Sequence, residues 1–124
     1  MKSLYSKKIM DRFLNPRNMG KLANPDGIGD TENLRCGDIM RIGIKVEDNV
    51  IKEIKFETLG CAPAIASSDM ICELAKGKTL EKAKKIKYED IVDKLGELPP
   101  PKIHCTQLAE KALKMAIKDY EKKQ

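Results

Sequence analysis

The sequence has no tryptophan, and aromatic residues make up only 4% of its 124 positions. Any core must therefore be aliphatic. No apolar run approaches the ~20 residues of a membrane span. The start, Met1-Lys2-Ser3-Leu4-Tyr5-Ser6-Lys7-Lys8, has no apolar signal-peptide centre. These absences lead to the expectation of a cytoplasmic protein, whose thiols stay reduced. None of the four cysteines, Cys36, Cys61, Cys72 and Cys105, forms a CxxC pair. That argues against zinc ribbons, thioredoxin-like redox motifs and bacterial ferredoxin runs. The net charge is +5, but its 24 basic residues are interleaved with 19 acidic ones. No aromatic-basic RNA motif or helix-turn-helix pattern accompanies them. The charge reads as a solvated lysine-rich surface, or a patch for docking an acidic protein partner, and not as a nucleic-acid interface.

What is present organises itself around Leu98-Pro99-Pro100-Pro101-Lys102-Ile103-His104-Cys105. Three successive prolines cannot be helix interior, because each lacks an N–H and has a fixed φ. They read as a stiff, extended spacer. A helical pattern begins at once: Leu108, Ala109, Ala112, Leu113, Ala116, Ile117 and Tyr120 share one face. His104 and Cys105 thus stand at a helix N-terminus. Unpaired N–H groups and the positive end of the dipole lower a thiol's pKa there. Cys105 precedes Leu108 and Ala109 by three and four residues, so it points to the buried side.

The length suits one domain, residues 1–124. Ser3 to Leu14 reads as a first helix, with Tyr5, Ile9 and Phe13 four apart and Asn15-Pro16 as its end. Its apolar stripe is narrow and terminal. Ordinary packing, a partner surface, and loose attachment with residues 1–20 mobile all stay open. Pro16 to Leu34 is turn-rich, with a short edge strand within Ile28 to Leu34 that pattern alone does not place. Met40, Ile42, Ile44 and Val46 then alternate with polar residues, as do Ile54 and Phe56. With Asp48-Asn49 as a two-residue turn, these form an antiparallel hairpin. Cys36 and Asp38 share the parity of Met40. Gly37 between them removes a side chain and lets another group approach.

Cys61 to Ala75 reads as a helix with Pro63 in its first turn and Gly77 as its stop. Cys61, like Cys105, stands at a helix N-terminus. Cys72 lies eleven residues on, roughly 16 Å along the axis. It reads as a buried core thiol. Thr79 to Lys85 and Tyr88 to Leu95 look like two short helices.

Three thiols with Asp38 or His104 suit tetrahedral zinc. They equally suit an iron–sulfur cluster, or three unrelated core thiols. Spacing does not choose among these. The residues do carry a resemblance. Tyr5-Ser6, Asn15-Pro16-Arg17-Asn18 with Gly20, Cys36-Gly37-Asp38, Gly60-Cys61 with Ala64-Ile65-Ala66-Ser67-Ser68, Leu98-Pro99-Pro100, and Lys102-Ile103-His104-Cys105 with Leu108-Ala109-Glu110 run almost end to end. In this set the chain resembles the IscU-type, or NifU N-terminal-like, iron–sulfur cluster assembly scaffolds.

The resemblance implies an α+β fold: a small three-stranded antiparallel sheet packed against several helices, the C-terminal one long. It implies a non-catalytic scaffold on which Cys36, Cys61 and Cys105 hold a transient 2Fe–2S cluster. His104 or Asp38 would supply the remaining ligand, with Zn2+ or Fe2+ in the cluster-free form. Sulfur would arrive as persulfide from a cysteine desulfurase, with Cys105 the acceptor. The cluster would pass to acceptor apoproteins or cluster carriers, and the cluster-bound scaffold can be a homo-oligomer. Asp38 would keep the cluster labile, as a hard carboxylate beside soft thiolates should. Two departures stand out. Ala62-Pro63 replaces a common Gly-Ser, stiffening the Cys61 loop. Pro101 replaces a common Val, which speaks against recognition by the ATPase chaperone that reads this motif. Two rivals use the same residues: a structural or storage zinc protein, and a thiol enzyme with Cys105 as nucleophile and His104 as base. Adjacent helical residues point about 100° apart, which disfavours the second rival.

Overall fold

The computed structural model describes residues 5–33 and 37–124. Its order is α1 (Lys7–Leu14), β1 (Gly27–Asn33), β2 (Asp38–Glu47), β3 (Val50–Leu59), α2 (Ala62–Ala75), α3 (Leu80–Lys84), α4 (Tyr88–Leu95) and α5 (Ile103–Lys122). The three strands form one antiparallel sheet in the order β1-β2-β3. This is the α+β architecture that the resemblance implies.

The hairpin follows from the alternation. Met40, Ile42 and Ile44 are fully buried, while Ile39 and Arg41 face outward. Asp48 and Asn49 both take positive φ, 52° and 63°. Two such residues make the type I′ turn whose twist matches the strands, and Asn and Asp tolerate that region best after glycine. A bulge at Lys45/Val46 shifts the register, so that Ile51 and Ile54 both reach the core although three apart.

The edge strand is β1, placed by packing more than by apolar alternation. Its inward positions are Gly27, Gly29 and Thr31. A Cβ on Gly29 would fall 2.0 Å from the Ala112 carbonyl oxygen, and one on Gly27 2.2 Å from that of Ala116. The glycines thus let the α5 backbone lie directly on β1. Asp119 clamps the far end by accepting from the Ile28 N–H at 2.9 Å.

The outer edge of β3 is covered. Gly20 donates to the Phe56 carbonyl and Phe56 donates to that of Asn18, while Ile51 exchanges backbone hydrogen bonds with residues 77 and 78. Covering an edge in this way removes a template for aggregation.

Differences from the sequence reading are local. The first helix begins at Lys7, with Ser6 accepting from the Ile9 N–H as its N-cap. Pro100, Pro101 and Lys102 are not extended. They form a 3-10 turn that runs into α5. Proline's missing N–H costs nothing in a first turn, where that donor would have no helical partner. Only Pro99 keeps extended dihedrals, φ −55° and ψ 136°. Helix α1 packs on α2 and α4, with Ile9 fully buried. Among the described residues no helix is long and apolar enough to cross a membrane.

Candidate metal centre

Three elements end at one point. Asp38 opens β2, Cys61 is the residue before α2, and Cys105 lies in the first turn of α5. Asp38 faces inward with Met40, as parity requires, and is 3% exposed. Cys105 is equally buried, and Cys61 is half-buried.

The atoms converge. Cys61 Sγ lies 3.9 Å from Cys105 Sγ and 4.0 Å from Asp38 Oδ2, and Cys105 Sγ lies 3.9 Å from the same carboxylate oxygen. All three potential ligand atoms fall within 4.8 Å of one another. A tetrahedral metal with bonds of about 2.3 Å to sulfur holds its sulfurs about 3.8 Å apart. The triangle therefore has the dimensions of one face of such a site. Two thiolates and a carboxylate suit zinc or iron by softness and charge.

The two thiols share a proton unequally. Cys61 is lowered to about 6, first by its hydrogen bond from Cys105, then by the Ala64 backbone N–H and by Lys102, against the cost of burial. Cys105 is raised, first by serving as that hydrogen-bond donor and then by burial. Both directions favour the negative charge on Cys61 over Cys105. Lys102 Nζ is 3.8 Å from Cys61 Sγ.

Glycine makes the room, though not where the sequence suggested. A Cβ on Gly37 would meet nothing within 4 Å among the described residues. That residue is glycine for its φ of +73°, which L side chains resist. The close approach is at Gly60, which faces the Asp38 carboxylate.

His104 is exposed and stands outside the three-residue group. One helical residue from Cys105, it is turned about 100° away. Cys36 lies outside the described residues. Cys72 is fully buried in the core, its pKa raised by desolvation, and it is not part of the group. Lys102 is the contributor that sequence reasoning missed. Its spacing of three from Cys105 was the available signal.

The NifU-like N-terminal domain model matches residues 4–124. The chain belongs to that family. An iron–sulfur cluster assembly scaffold protein, IscU 1 of Archaeoglobus fulgidus, is 53% identical over 120 residues, covering 97% of this chain and 78% of that protein. The IscU scaffold of Escherichia coli K12 is 49% identical over 123 residues, covering 96% and 95%. Among solved structures, a Fervidobacterium islandicum protein assigned as an iron–sulfur cluster assembly scaffold for the SUF system superposes with a TM-score of 0.80 at 27% identity, covering 92% of this chain and 96% of that one. In this NifU-like domain the site therefore sits where the sheet's end meets two helix N-termini.

Proposed function

We propose that this chain is a scaffold on which 2Fe–2S clusters are assembled and from which they are transferred to acceptor apoproteins or cluster carriers. The observation that carries the reading is the convergence of Asp38 Oδ2, Cys61 Sγ and Cys105 Sγ within 4.8 Å. Family membership and the names of its relatives support it. The cluster is cargo, and the protein is its holder and not a catalyst. Cys61 and Cys105 are two of its ligands. Cys36, two residues before Asp38 in the chain, is the third. Asp38 takes the remaining position, and His104 can replace it only by turning inward. In the cluster-free form the same residues take Zn2+ or Fe2+.

Sulfur enters by thiol–persulfide exchange with a cysteine desulfurase. A thiolate of the site attacks the terminal sulfur of the donor persulfide. The donor S–S bond breaks, the donor leaves as thiolate, and a new S–S bond forms on the scaffold. The resemblance assigns this attack to Cys105. As a buried thiol, Cys105 must first lose its proton and be exposed by movement of the Pro100–Lys102 turn. Cys61 is half-exposed and the more readily ionised of the two.

The triangle also fits a structural or storage zinc protein, and one experiment separates the two. Anaerobic reconstitution with iron, cysteine and a desulfurase should give iron and acid-labile sulfide in equal amounts, with sulfur-to-iron charge-transfer absorption. Zinc without sulfide would overturn the scaffold reading in favour of the rival. Replacing Asp38 by Ala should prolong cluster retention, because a hard, exchangeable ligand is removed.

A further inference from the structure

Lys102 comes from the same short stretch as Cys105. It closes the 3-10 turn, and Cys105 follows three residues later as the chain enters α5. Both therefore project from one side of the turn. The lysine is half-buried, and its Nζ lies 3.8 Å from Cys61 Sγ. Beyond that sulfur lie Cys105 Sγ at 3.9 Å and Asp38 Oδ2 at 4.0 Å. A lysine ammonium carries three donors and no lone pair. It can neutralise a thiolate, but while charged it cannot ligate a metal.

We propose that Lys102 is the resident counter-cation of the empty cargo site, and that a metal ion must displace it from Cys61 on loading. The inference rests on the reading of Asp38, Cys61 and Cys105 as ligands. A metal at the triangle would stand about 2.3 Å from Cys61 Sγ. The ammonium stands 3.8 Å from the same sulfur. Two cations would then share one anion at a few ångströms, where the repulsion of a divalent ion is barely screened by salt. Lys102 is a positioning residue in this account. It holds Cys61 in a paired state without cargo, and it makes the site grip a bare cation less tightly than its ligands alone would. A scaffold that must give up what it holds is served by such a competitor.

The test uses Co2+ as probe on the full chain, with sulfur-to-cobalt charge-transfer absorption as the readout, at pH 8 under anaerobic conditions. Wild type, Lys102→Met and Lys102→Arg are compared, and thermal melts of each cation-free protein check folding. Lys102→Met keeps the stem and removes the charge, and should bind Co2+ at least about tenfold more tightly. Lys102→Arg keeps the charge and should stay within about threefold of wild type. Equal or weaker binding by Lys102→Met, with an unchanged melt, would overturn the inference, because Lys102 would then not compete with the cation. If Lys102→Met melts lower, binding is compared below the onset of its melt, and there tighter binding by Lys102→Met with wild-type-like binding by Lys102→Arg still supports the inference, because Lys102→Arg keeps the charge. Absence of any sulfur-to-cobalt band in wild type would sink the ligand reading itself, and this inference with it. A wild-type band with no gain in Lys102→Met sinks only this inference.

Discussion

Gly60 makes room for Asp38: a Cβ at residue 60 would fall 2.5 Å from Asp38 Oδ1, 3.0 Å from its Cγ and 3.2 Å from Ala64 Cβ. The carboxylate of β2 can rest against the loop carrying Cys61 only because that position has no side chain. Gly60→Ala should push the carboxylate off the two sulfurs while leaving both thiols in place. Groups that merely orient ligands change metal affinity by about 10- to 100-fold, so the Zn2+ dissociation constant should rise at least about tenfold. Chelator competition measures it. An affinity within twofold of wild type would show that Asp38 contributes nothing to holding the cation.

A second carboxylate has a purely architectural task. Asp69 on α2 is fully buried. Its Oδ1 accepts from the backbone N–H groups of Arg17 and Asn18, and its Oδ2 from Arg12 Nη1, each at 2.8 Å. It therefore ties α1 and the loop after it to α2, the helix that follows Cys61. Breaking a buried pair leaves uncompensated polar groups, so Asp69→Ala should cost about 3–5 kcal/mol. Glu73 meets the same guanidinium but is half-exposed, and Glu73→Ala should cost less than about 1 kcal/mol. Denaturant melts of both variants check the contrast. Equal losses would place the tie elsewhere.

The α5–β1 contact predicts an asymmetry between two strand glycines. At Gly29 an added methyl meets backbone atoms of α5, Ala112 O at 2.0 Å and Ala116 N at 2.6 Å. Backbone cannot rotate aside, so the helix must lift, and Gly29→Ala should destabilise by about 3 kcal/mol or more. At Gly43 the nearest atoms are side chains at 3.6 and 3.9 Å. Gly43→Ala should stay within about 0.5 kcal/mol of wild type. Thermal unfolding decides, and an unstable Gly43→Ala would mean that strand glycines matter here for some reason other than room.

These residues also explain what the sequence could and could not reveal. The β2–β3 hairpin was legible because Met40, Ile42 and Ile44 alternate cleanly. Helix α5 was legible through its apolar face, and α2 through Pro63 in its first turn and Gly77 as its stop. Strand β1 resisted placement because its inward positions are Gly27, Gly29 and Thr31, chosen for closeness to a helix and invisible to a hydrophobicity count. The Pro100-Pro101 turn was misread because fixed φ is as compatible with a first helical turn as with an extended spacer. At the site, parity placed Asp38 and helix starts placed Cys61 and Cys105. That three remote segments meet is a tertiary fact that only the family resemblance foreshadowed. Lys102 and Gly60 were missed because their roles are defined by neighbours distant in sequence.

Proton sharing between Cys61 and Cys105 gives a pH signature in the cation-free protein. Cys61 is lowered to about 6 by the Cys105 hydrogen bond, the Ala64 N–H and Lys102. Cys105 is raised because it keeps the shared proton, and buried Cys72 is raised by desolvation. Alkylation by iodoacetamide should therefore reach Cys61 well before Cys105 or Cys72, with a rate that rises through a midpoint near pH 6. Mass mapping of modified peptides checks both order and midpoint. The same shift enters stability. Between about pH 6 and the ordinary thiol range, near 8.5, folded Cys61 holds fewer protons than it does in the unfolded chain. Its contribution is fully present above that range and is lost as pH falls through 6. The raised pKa of Cys105 acts oppositely, and only above the ordinary thiol range. Wild type should thus gain stability relative to Cys61→Ala from pH 6 to 8. A wild-type melting temperature that runs parallel to that of Cys61→Ala over this window would mean that the Cys61 thiolate is not held by the fold.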